Sequence, residues 1–148
     1  MLPNKTIEKI SFEIGEIDKL IEQSMPLISL CKIKTPDFIE IMAAATVLHS
    51  FYNGIENIFV VIAKEVDKKI PDGQKWHKVL LEQMQDNGII SEEVLFEISK
   101  YLLFRHFFRH AYSFRLEWEE MNELVYEIEN TWIKLKEELN KFILSYYP

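Results

Sequence analysis

The chain has one cysteine, four glycines and five prolines among its 148 residues. A single thiol cannot close an internal disulfide, so Cys31 reads as a small buried hydrophobe, and this cysteine usage fits a reducing, cytoplasmic setting. So little glycine and proline leaves no flexible or proline-rich linker, and no repeat or low-complexity tract stands out. Residues 1–148 therefore read as one domain, large enough to bury a real core. Apolar runs such as 58–63 are far too short to cross a bilayer. The opening MLPNKTIEKISFEIGE carries acids and lacks the apolar stretch of a signal peptide, so no membrane association is expected. Gly-rich phosphate loops, a nucleophile elbow, a cysteine pair and any Glu-x-x-His are also missing, which excludes several common enzyme classes and a di-iron bundle.

Arginine is the scarcest charge. All three arginines, Arg105, Arg109 and Arg115, fall inside one eleven-residue window, while fourteen lysines are scattered widely. The chain as a whole is acidic, with a formal charge of −7, which argues against a general nucleic-acid coat protein. Residues 98–116 contain no Asp or Glu and hold Lys100 with the three arginines, so this stretch is +4 and the remainder −11. A local positive site on an acidic body can still focus a phosphate ligand.

The patterning is helical nearly throughout, and the expected fold is an all-α, up-and-down bundle of about five helices. Ile7, Ile10, Ile14, Ile17, Ile21 and Ile28 recur at three- and four-residue steps, with Ser24 at the missing one, predicting a helix over about residues 5–30. Thr35 then offers an N-cap, with Pro36 at the first helical position and Asp37 suiting the dipole. From Phe38 to Val66 the steps run 3, 4, 3, 4 through Ala45, Leu48, Tyr52, Ile55, Phe59 and Ile62, a helix on the order of 50 Å long. Such length hints at a dimer. Gly54 interrupts it mildly. The turns PDG and DNG flank a shorter helix over 74–85 with Trp76, Val79, Leu80 and Met84 inward. Ser91 caps the next helix, and a last one over about 117–146 presents Met121, Leu124, Ile128, Trp132, Leu135, Leu139, Phe142 and Tyr146.

The window RHFFRHAY lies on the helix opened by Ser91. With Arg105 set at 0° and about 100° per residue, Arg109 falls near 40°, His106 near 100°, His110 near 140° and Tyr112 near 340°. If the helix stays regular, Phe104, Phe107, Phe108 and Ala111 occupy the opposite, apolar arc. Guanidinium forks match phosphate oxygens two at a time, and a histidine near neutrality can take or give a proton. RNA carries its own nucleophile in the 2′-OH, so arginine and histidine suffice for cleavage without a metal. The same cationic helix could instead be a partner-docking face. His106 and His110, four residues apart, would make half a metal site. His49 and His77 read as satisfied core histidines, and Tyr112 by itself as an ordinary surface phenol.

The pattern Arg105-x4-His110-x-Tyr112, placed before a long C-terminal helix, resembles the HEPN family, and within it the HepT-type ribonuclease toxins of bacterial toxin–antitoxin pairs. The stretch HSFYNGIENIF at 49–59 and the order of helices extend the resemblance over most of the chain. The resemblance implies a cytoplasmic homodimer whose two R-x4-H motifs form one composite cleft. It makes Arg105 the phosphate-binding residue and His110 the general base or acid of a cofactor-free, metal-independent endoribonuclease acting on tRNA or mRNA. It also implies a small nucleotidyltransferase antitoxin that transfers AMP to Tyr112. Many relatives place a small polar residue just after the motif arginine, where this chain has His106. His106, Arg109 and Arg115 are expected to contact RNA. The alternative is a non-catalytic helical module that docks a nucleotidyltransferase or nucleic acid.

Overall fold

The computed structural model describes residues 2–110, 112 and 115–145. Five helices follow one another: α1 (Asn4–Ile33), α2 (Phe38–Val66), α3 (Trp76–Asp86), α4 (Glu92–His110) and α5 (Trp118–Ser145). Among the described residues there is no strand, and short connections fold the helices back on one another as a bundle. No helix among them is long and apolar enough to cross a membrane.

The α1 periodicity does what it predicts: Ile10, Ile14, Ile17, Ile21 and Ile28 are buried, with Ser24 continuing the stripe. The helix passes through Pro26, which is tolerated on the exposed side although it removes one backbone donor. The start of α2 differs from expectation. Asp37, not Thr35, is the N-cap. Its side chain accepts from the Glu40 backbone N–H at 2.8 Å, and Glu40 accepts from the Asp37 N–H at 2.9 Å. This reciprocal capping box satisfies two orphan donors at once, and Pro36 is left just outside the helix.

α2 is the axle of the bundle and packs against each of the other four helices. Besides the expected seam, a second row of Ala44, Phe51 and Ile58 is buried, because α2 is covered on more than one side. Phe38, at the start of the expected seam, is exposed. The length of α2, 29 residues, is matched by 30 in α1 and 28 in α5, so its excess is used inside one subunit and gives no argument for a second copy. In α5 the expected stripe is buried from Met121 to Phe142 except for half-buried Leu124; Tyr146 lies outside the described residues.

On α3 the expectation for Val79 fails: it is 44 % exposed, and Leu81 is buried instead. The inward arc set by Leu80 and Met84 extends toward Leu81 and takes in His77, whereas Val79 falls on the other side. His77 Nδ1 meets the buried Glu56 carboxylate at 2.6 Å, tying α3 to the middle of α2. Burial, and then this carboxylate, push the Tyr52 phenol far above its ordinary pKa. A second tie joins α1 to α5: the Trp132 indole N–H donates to Asp18 at 2.8 Å, and Lys136 binds the same carboxylate at 2.9 Å.

Gly54 permits a close crossing of α1 and α2, beyond being an interruption of the seam. A Cβ there would lie 2.8 Å from Ile17 Cγ1 and 3.0 Å from its Cδ1, and Ile17 is itself buried. Gly54→Ala gains about 1 kcal/mol of helix propensity, but forcing a packed core side chain aside costs about 1–3 kcal/mol. The variant is therefore expected to unfold at lower urea concentration than wild type. A midpoint at or above the wild-type value would mean that the α1–α2 contact has slack.

Candidate phosphate-binding and proton-transfer site

The cationic window forms the last turns of α4. Glu92 and Glu93 occupy the first turn, and Arg109 and His110 the last, the order that the helix dipole favours. The described part of α4 runs to His110 and Tyr112 is not helical, so the regular continuation assumed for Tyr112 does not hold. Tyr112 follows the helix, is 75 % exposed, and its carbonyl accepts from the Arg115 N–H at 2.8 Å. Ala111 and Ser113 lie outside the described residues. Of the expected apolar arc, Phe104 is buried and Phe108 half-buried, whereas Phe107 is 37 % exposed.

The structure divides the polar arc into two flanks. Arg105, half-buried, turns toward α2, where its Nε–H donates to Asn53 Oδ1 at 3.2 Å. His106 and His110 turn toward α5, with ring centroids 4.7 Å apart, and line a groove of about 650 Å³ between α4 and α5. Among the described residues no hydrogen bond or ring contact joins Arg105 to His110. Arg109 and Arg115 are exposed. No group of three or more His, Cys, Asp or Glu among the described residues is placed to hold a metal ion.

The Arg105 flank contains residues that its sequence motif does not announce. Asn53 Nδ2 lies 3.1 Å from His49 Nε2. A guanidinium has only donors, so Asn53 must present its oxygen to Arg105 and therefore its NH₂ to the imidazole. His49 Nε2 then has to accept, which fixes a neutral ring with its proton on Nδ1. That Nδ1 is buried and finds no hydrogen-bond partner among the described residues, and the ring packs on Phe108 at 4.9 Å. His49 is thus only half-satisfied, in contrast to His77. The trace in the sequence is weak: His49 and Asn53 are four apart, a spacing that puts them on one face of α2, but Thr46 and Ser50 on the same helix share it. Arg105 is left with both Nη groups making no hydrogen bond among the described residues, the fork that a phosphate would take.

Burial first, and then the charges of Arg105 and Arg109, lower the His49 pKa from its ordinary 6.5. The unfolded chain accordingly takes up more protons than the folded one as pH falls below 6.5, and this residue's effect is to weaken the fold on acidification. In an NMR titration the His49 ring should change charge below pH 6.5, and Arg105→Ala should move its midpoint upward. A midpoint unmoved by that substitution would show that the two side chains do not share one network.

Comparison with known proteins adds one finding. The model of a family described as HepT-like protein matches residues 43–146, a stretch that takes in His49, Asn53, Arg105, His110 and Tyr112. No curated protein and no solved structure matches the chain.

Proposed function

The chain belongs to the HepT-like family, the HepT-type branch of the HEPN proteins, and from that premise we propose that it is a metal-independent endoribonuclease toxin. The supporting observation is the paired flanks of α4: a tethered guanidinium with an open fork on one side, and an exposed imidazole on the other.

In this reading Arg105 grips the non-bridging oxygens of the scissile phosphate, where negative charge grows in the transition state. His110 takes the proton from the 2′-OH as that oxygen attacks phosphorus. The P–O5′ bond breaks, the 5′ oxygen takes a proton from water, His110 returns its own proton to solvent, and the products are a 2′,3′-cyclic phosphate and a 5′-hydroxyl. The two groups occupy different flanks of one helix, so the reading places the reaction in a homodimer, where the Arg105 of one subunit meets the His110 of its partner. Asn53 and His49 are positioning residues that hold Arg105. Arg109, Arg115 and His106 contact the RNA strand, tRNA or mRNA, around the cut.

Tyr112 follows His110 by two residues and is exposed. A nucleotidyltransferase antitoxin would transfer AMP from ATP to its hydroxyl with release of pyrophosphate. The added phosphate charge and adenosine bulk would then stand where substrate phosphate must enter.

Protein verified by mass spectrometry to carry no AMP on Tyr112 should cut cellular RNA in the presence of a chelator. Arg105→Ala and His110→Ala should each slow cleavage by at least about a hundredfold, within the range for such groups, with helicity unchanged. Unmodified protein that leaves all cellular RNA intact would overturn the assignment and favour a docking module.

A further inference from the structure

The groove between α4 and α5 has an unusual lining for a surface beside a phosphate site. Its floor and inner wall are apolar and aromatic, with Phe104 at the bottom and the exposed Phe107 and Leu103 at the edge. The His106 and His110 rings form one wall. The facing side, from the start of α5, brings the carboxylates of Glu117, Glu119, Glu120 and Glu123. Among the described residues of the lining Lys100 is the only Lys or Arg, and it pairs with Glu123 at 3.9 Å.

A phosphate would be repelled from such a place. A nucleobase would not be: it is uncharged, has two flat faces for aromatic and imidazole stacking, and carries amino and imino donors that carboxylates accept. The volume, about 650 Å³, falls within the roughly 300–1,000 Å³ of small-ligand sites. It has room for a nucleoside as well as a ring. We propose that the α4–α5 groove is a base-reading pocket that takes the nucleobase of the nucleotide at the cut. The inference rests on the reading of His110 as the proton-transfer group, because the same ring then borders both the scissile linkage and the groove.

The acidic side sets the preference. Guanine offers two adjacent donors, N1–H and the 2-amino group, to a single carboxylate. Adenine and cytosine offer one amino group, and uracil has no amino group. The order expected is therefore guanosine first and uridine last. A second copy of the chain is the competing occupant, and the outcomes below separate the two.

Guanosine, adenosine, cytidine and uridine, which carry no phosphate, are titrated into the unmodified full-length protein while the ring signals of His106, His110 and Phe107 are followed by NMR. Saturable shifts confined to these rings, with guanosine tightest and uridine weakest, are expected. Phe107→Ala, an exposed position that should not disturb folding, and Glu120→Gln should each weaken guanosine binding by roughly fivefold or more, the low end for loss of a base-stacking or base-pairing contact. Absence of shifts, equal binding of uridine and guanosine, or ring shifts that follow protein concentration alone would overturn the proposal. Cleavage is not the readout, so nucleoside binding by a protein that cuts no RNA would remove the ribonuclease reading and leave the pocket standing. RNA cleavage by a protein that ignores nucleosides would do the reverse.

Discussion

The candidate site depends on one constraint: Arg105 can only donate. Its Nε–H therefore demands an acceptor on α2, and Asn53 supplies it at 3.2 Å. That choice commits the rest of the amide to His49 and commits His49 to being neutral. Burial and the flanking guanidinium charges favour the same neutral ring, so geometry and electrostatics agree. A guanidinium held through Nε keeps its two Nη groups for a ligand, with less rotamer freedom to lose on binding than an untethered one.

The surrounding charge makes the same economy visible at larger scale. The body is acidic, and 98–116 is a +4 island without a carboxylate. That island takes in the C-terminal half of α4, where the helix dipole stabilises cations but opposes an anion. Guanidinium groups are needed there to outweigh the local field before a phosphate can be held. Carboxylates return at the start of α5 and line the neighbouring groove instead. The two sides of α4 thus present opposite electrostatics within one surface.

Most of the architecture was legible in the sequence because long three- and four-residue steps leave little freedom, as Ile10 to Ile28 and Met121 to Phe142 demonstrate. What the sequence concealed were choices between near-equivalent local solutions. Asp37 outcompeted Thr35 because Glu40 completes a reciprocal cap. Leu81 displaced Val79 because the inward arc of α3 is centred on a neighbouring direction. Of the site, Arg105 and His110 were visible as a motif. The division of their arc into two flanks was not, since it depends on α2 and α5 lying on either side of α4. Asn53 and His49 were hidden for the same reason: their role exists only where α2 meets Arg105, 52 residues away from Asn53 in the chain.

The shared site proposed above draws its guanidinium from one subunit and its imidazole from the other. It is tested most directly by mixing two inactive proteins. Chains bearing Arg105→Ala and chains bearing His110→Ala are combined under conditions that exchange subunits, and RNA cleavage is followed. A shared site predicts that the mixture regains activity that neither protein has alone, because each mixed dimer holds one Arg105 facing one His110. Mixed dimers that form and remain as inactive as their parents would contradict it.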